Sequence, residues 1–193
     1  MTSGRIWLIS GIPGAGKTTI ARALCARYAK AIHIPVDDLR ELVVTGHASP
    51  IEWTEETTRQ FALARGSAAR MAADYSDQGF AAVIDDVVRE EDIEQFTPHL
   101  SGKTLTKVAL IPSLDVSLAR NRDRTNKSFD TGMLEAVARR LYPSLVESCR
   151  PAAGWIALDT SGMDVATSVS EILRRADRAD QRSERPLRKS GGQ

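Results

Sequence analysis

Apolar residues along the chain fall alternately into short runs and helical stripes. RIWLIS (5–10), AIHIPV (31–36), FAAVIDD (80–86), KTLTKVALI (103–111) and WIALD (155–159) are apolar stretches of strand length. Between them, residues 18–29, 37–44, 53–79, 90–100, 113–124, 131–149 and 165–176 read as helices, with apolar side chains recurring at the spacing of one helix face. In 131–149 the stripe is Met133, Leu134, Val137, Leu141, Leu145 and Val146, and Pro143 predicts a kink. Gly66 weakens the long stripe over 53–79 without breaking it. The segment through Gly46, Ser49 and Pro50 reads as a loop. Strands joined by helices predict an α/β fold, a three-layer sandwich with a parallel sheet of about five strands and helices on both faces. Ligands of such sheets bind outside the carboxyl ends of the strands.

The junction after the first run carries chemistry. In SGIPGAGKTTI, Gly11 is followed by four residues and then Gly16-Lys17-Thr18, the spacing of a P-loop. Glycines at 11, 14 and 16 let the backbone turn its N–H groups inward around phosphate oxygens. A helix starting at Gly16-Lys17 adds its positive end. Gly11, Gly14, Ala15, Gly16, Lys17, Thr18 and Thr19 are therefore the candidate phosphate contacts. Lys17 suits the β- and γ-phosphates, and the Thr18 hydroxyl suits Mg²⁺. The alternative is a glycine-rich turn that binds nothing. A guanine-reading NKxD is missing its aspartate at Asn126-Lys127-Ser128-Phe129, and the DxxG string at Asp159–Gly162 follows the last strand, so a GTPase fits poorly.

Composition narrows the class further. A chain of 193 residues suits one domain with a sizeable core. Its 26 Lys and Arg nearly balance 25 Asp and Glu, which gives no electrostatic case for nucleic acid. Cys25 and Cys149 are too few for a disulfide framework or a zinc cluster. RIWLIS runs straight into the P-loop, so no signal peptide is expected, and no apolar stretch approaches membrane-spanning length. A cytoplasmic setting is the default expectation. Residues 1–177 are expected to form the domain, with a substrate-side region at about 38–78 and a lid at about 120–132. Residues 178–193 are expected to form a polar tail.

Acidic and basic residues cluster at predicted strand and helix ends. Asp37 and Asp38 follow the second strand. One could orient or deprotonate an acceptor hydroxyl, or both could simply cap the next helix. Asp85 and Asp86 close the third strand. Asp85 is the candidate Mg²⁺ ligand and Asp86 a candidate substrate contact, although the sequence does not order the two. Arg120 and Arg124 share a helix face before the loop TNKSFDTG, where they could hold nucleotide and stabilise charge on a transferring phosphoryl group. Arg122 points away from both, and a solvated basic face is the alternative. Arg139 and Arg140 are further lid candidates. On the acceptor side, Trp53 could stack on a ring or sugar, with His47, Arg59 and Phe61 near it.

GIPGAGKTT, VDDLR, VIDDV and LIPSLDVSLARNRDR together resemble the small P-loop kinases that act on metabolites and antibiotics, which include chloramphenicol phosphotransferase-like, gluconate kinase-like and zeta-toxin-like proteins. The resemblance covers about residues 5–175. It implies a P-loop NTPase fold with a small lid, ATP and Mg²⁺ as cofactors, and transfer of the γ-phosphate to a hydroxyl of a small molecule by a monomer or homodimer. It also implies Asp37 as the acceptor-side base, Arg40 as a substrate clamp, and the loop at Asp159-Thr160-Ser161-Gly162 as the adenine rest. Two other readings stay open. A nucleoside or nucleotide kinase would need phosphate-binding arginines, for which Arg40, Arg59, Arg65 and Arg70 are available. A nucleotide-binding regulator would bind ATP without any acceptor.

Overall fold

The computed structural model describes residues 3–122 and 131–183. Among these residues five strands form one parallel sheet in the order β2-β3-β1-β4-β5. The strands are β1 Ile6–Ser10, β2 Ala31–Pro35, β3 Ala81–Asp86, β4 Leu105–Leu110 and β5 Trp155–Leu158. The helices are α1 Lys17–Cys25, α2 Val36–Glu41, α3 Glu55–Asp77, α4 Leu114–Arg122, α5 Thr131–Ser148 and α6 Val165–Ser183. Every residue of β1 and β3 is buried. Side chains alternate across a strand, so complete burial requires helices on both faces.

Topology places the site. From β1 the chain runs out to β2, returns to β3, and then crosses β1 to reach β4. The order therefore reverses around β1, and the crevice opens at the carboxyl ends of β1 and its neighbours. Ser10 and Asp86 are paired in register at those ends. Ser10 Oγ donates to Val88 O at 2.6 Å and accepts from Val88 N at 2.9 Å, which fastens the P-loop strand to the chain leaving β3.

The helices depart from the sequence expectation at several ends. α1 stops at Cys25 and α2 at Glu41, both short of the apolar pattern. α3 starts with a capping box, Thr54 Oγ1 accepting from Thr57 N and Thr57 Oγ1 accepting from Thr54 N. Gly66 has a packing role in that helix: a Cβ there would sit 3.0 Å from the His99 ring. The segment 90–100 is not an α-helix but two 3-10 turns, Glu90–Gln95 and Thr97–His99. Ile93, Phe96 and Leu100 still point inward, because a three-residue period also serves a 3-10 turn. α5 continues through Pro143. α6 extends to Ser183, so residues 178–183, expected in the tail, are helical. Arg5 pairs with Asp177 and Asp180 on that helix. No helix among the described residues is long and apolar enough to cross a membrane.

Candidate active site at the strand carboxyl ends

The P-loop has the backbone that its glycines imply. Gly14 and Gly16 adopt left-handed φ values of 83° and 93°. A Cβ on Gly14 would lie 2.1 Å from Ser117 O, so α4 can press on the loop only because that residue is glycine. Ala15 N donates to Ile12 O at 3.0 Å and closes the turn. Gly16 is the N-cap of α1, with no side chain capping the helix. The first-turn amides thus face the crevice without a capping side chain. A Cβ on Gly16 would project into open space, a cradle shaped for an anion. These features fit a nucleotide polyphosphate.

Two clefts meet at this loop and share Gly14 and Gly16. The larger has a volume of about 840 Å³ and gathers Lys17, Thr18, Asp37, Asp38, Arg40 and Trp53. Asp85 and Asp86 line it too, so residues from three strand ends and α3 converge as the topology rule predicts. The smaller, about 360 Å³, is lined by Ala15, Thr19, Arg120, Thr160 and Met163 among others. Gly11 is buried below both, and a Cβ there would lie 2.9 Å from Leu110 O.

The acids differ in their surroundings. Asp37 and Asp38 occupy the first turn of α2, whose N-cap is Pro35 with no side-chain cap bond. Neither carboxylate is the N-cap, and both stand in the first turn, where a carboxylate also favours the positive end of the helix. Asp85 is buried, and one of its oxygens lies 2.9 Å from His33 Nε2. No group of three metal-binding side chains exists among the described residues. Mg²⁺ in phosphate sites needs only one or two protein oxygens, with phosphate and water supplying the rest. Thr18 and Asp85 fit that donor set.

Asp86 belongs to a closed network. Arg65 Nε donates to Asp86 at 2.6 Å, Nη1 donates to Asp92 at 3.2 Å and Gln95 at 3.0 Å, and Nη2 donates to Val87 O at 2.9 Å. Burial alone would lower the Arg65 guanidinium, but Asp86 and Asp92 outweigh it and hold its pKa above the ordinary value. Burial pushes the Asp86 carboxyl up against the pull of Arg65, and nearby Asp37 adds to that push. The Arg65–Asp86 contact is short and charge-assisted. Asp86 therefore borders the cleft with its charge already matched.

On the acceptor side an aromatic stack rests on a buried cation. Trp53 and Phe61 are stacked with centroids 5.1 Å apart at 13°, and the Trp53 indole N–H donates to Thr58 Oγ1 at 2.8 Å. Trp53 remains 53% exposed, so an indole surface of fixed orientation faces the opening. Arg40 lies under Phe61, 3.9 Å from the ring centroid, and donates to Ala48 O at 2.8 Å. Burial lowers its pKa, while Asp37 and Asp86 counter that shift.

Arg120, expected to hold nucleotide and to stabilise the transferring phosphoryl group, lines the small cleft beside the P-loop and donates to Thr160 O at 2.9 Å. A helix turns by about 100° per residue, so a one-residue difference in register selects the cleft. Arg124 and nearly all of TNKSFDTG lie outside the described residues. Arg122 pairs with Glu135 at 2.6 Å on the surface. Arg140 and His47 line the large cleft, whereas Arg59 pairs with Glu56 at the surface. The sequence reading missed Arg89, Asp92 and Asn121 as cleft-lining residues, and His33 as the partner of Asp85. Only His33 left a signal, as a polar residue inside an apolar strand.

Residues 6–144 match the model of a family described as an AAA domain, AAA_33. No curated protein matches the chain. A gluconokinase from Sinorhizobium meliloti 1021 has a similar structure, with TM-score 0.64 and 19% identity over 95% of this chain and 99% of that one. A shikimate kinase from Acinetobacter baumannii, in complex with shikimate, gives 0.61 and 18% over 92% and 95%. The tunicamycin resistance protein of Deinococcus radiodurans gives 0.60 and 18% over 90% and 95%. At these identities the likeness establishes the fold.

Proposed function

Because the chain belongs to the AAA_33 family of AAA domains and shares its fold with P-loop kinases, we propose that it is an ATP-dependent phosphotransferase acting on a hydroxyl of a small molecule. One observation carries this reading: Asp37, which caps no helix, lines the same cleft as Lys17, Thr18 and Asp85. A base, a phosphate-binding lysine and a Mg²⁺ donor set in one cleft are what phosphoryl transfer to an alcohol requires.

Bound ATP with Mg²⁺ supplies the phosphoryl group and a neutralising cation. The loop amides and Lys17 hold the phosphates, and Thr18 with Asp85 holds the metal. His33 orients the Asp85 carboxylate. Asp37 accepts the hydroxyl proton as the acceptor oxygen attacks the γ-phosphorus and the bond from that phosphorus to the bridging oxygen breaks, with ADP leaving. Trp53 offers the acceptor a flat apolar surface, Arg40 and Asp38 border it, and Asp86 shapes the floor while paired to Arg65. The small cleft takes the nucleotide base beside Arg120 and the 159–162 loop. The cytoplasm, rich in ATP and reducing, suits this activity and the two free cysteines.

A phosphorylated nucleotide acceptor is the weaker reading. Of its four candidate arginines only Arg40 and Arg65 line the cleft, and Arg65 already donates four hydrogen bonds to protein oxygens. Arg70 instead contacts His99 and Ser67. The test is ADP release from ATP with a panel of hydroxylated metabolites and antibiotics, scored above the background without acceptor. Stimulation by non-nucleotide alcohols supports the proposal, and stimulation by nucleoside monophosphates alone rejects it.

A further inference from the structure

Among the described residues four buried side-chain polar atoms have no hydrogen-bond partner: Arg40 Nε, Ser117 Oγ, Asn121 Nδ2 and Thr160 Oγ1. Buried orphans are uncommon because desolvation without a partner is costly. Three of these four gather where α4 meets the P-loop and the 160 loop. Ser117 and Asn121 lie one turn apart on a single face of α4. Both press on Gly14: a Cβ there would lie 2.1 Å from Ser117 O and 3.0 Å from Asn121 Cγ. Their exposures to the two clefts differ. Asn121 lines the large cleft together with Lys17, Thr18, Asp37 and Asp85, and Ser117 lines neither cleft. Arg120, one residue earlier, faces the small cleft.

α4 therefore presents a cation to one side of the P-loop and a neutral amide donor to the other. We propose that Asn121 is a phosphate-binding residue whose Nδ2 donates to a non-bridging oxygen of the terminal phosphoryl group. The assignment rests on the phosphotransferase reading for the identity of the nucleotide. The side chain is only 5% exposed and held against the loop, and its Nδ2 is buried without a partner, so a small turn of the amide toward the cleft gives the donor its acceptor. A neutral donor beside Lys17 binds an anionic oxygen without adding like-charge repulsion. The terminal group is favoured over the inner phosphates because Asn121 shares the cleft of Asp37 and is absent from the base-side cleft.

The test is calorimetric binding of ADP and of non-hydrolysable AMP-PNP, each with Mg²⁺ and without acceptor. Wild type is compared with Asn121→Asp, Asn121→Ala and Ser117→Ala, with thermal melts as a folding check. The Asp variant keeps the side-chain shape and sets a carboxylate against the phosphoryl oxygen. It should weaken AMP-PNP by about tenfold or more while changing ADP much less. The Ala variant should weaken AMP-PNP several-fold with ADP nearly unchanged, and Ser117→Ala should change neither. Equal losses for both nucleotides, or unchanged AMP-PNP affinity in a folded Asp variant, would overturn the assignment. A wild-type protein that binds neither nucleotide would overturn the phosphotransferase reading, and this assignment with it.

Discussion

Asp37 and Asp86 border the same cleft, yet only Asp86 is neutralised by a fixed partner. Under the proposed function that contrast favours Asp37 over Asp86 as the base. Asp37→Asn keeps the shape and removes the proton acceptor. It should leave Mg·ATP affinity nearly unchanged and lower kcat by about a hundredfold or more, as measured by steady-state kinetics. An unchanged kcat would move the base to Asp38. The arginines of α4 separate in the same way. Arg120→Ala removes both a small-cleft cation and the tie to Thr160 O, so ADP affinity should fall about tenfold, roughly 1.4 kcal/mol. Arg122→Ala breaks only an exposed pair and should change ADP binding little. Equal effects at the two positions in a binding titration would contradict the assignment of clefts.

At the scale of elements, Arg65 joins α3 to the end of β3 and to the first 3-10 turn. Arg65→Met keeps most of the volume but leaves Asp86 buried without its cation and Asp92 with Arg89 alone. A cost of about 3–5 kcal/mol is expected by denaturant unfolding, and a loss under 1 kcal/mol would mean the network relaxes into water. None of this was legible in the sequence, because the partners of Arg65 lie 21, 27 and 30 positions away. Local signals did read through. The five strands were legible because buried parallel strands are continuous apolar runs, and Gly14 and Gly16 because the P-loop needs their positive φ. The 90–100 segment was misread because Ile93, Phe96 and Leu100 suit a helix and 3-10 turns alike. Within the site, strand-end positions suggested that the P-loop, Asp37-Asp38 and Asp85-Asp86 converge, and these residues line one cleft. Helix register did not decide between Arg120 and Asn121, since that depends on how α4 leans on Gly14.

For the whole molecule, one sheet brings together two clefts that share the P-loop, with Asp37 lining one and Arg120 the other. The central claim is that the phosphoryl group crosses from nucleotide to alcohol at that loop. Phosphorus NMR of the products, with Mg·ATP and the best acceptor of the panel, tests it most directly. The account predicts a new phosphate-monoester signal that grows with ADP. The signal should need both Mg²⁺ and the acceptor, and it should be lost in a folded Lys17→Ala variant. ADP accompanied only by inorganic phosphate, or a monoester formed at the wild-type rate by folded Lys17→Ala, would contradict it.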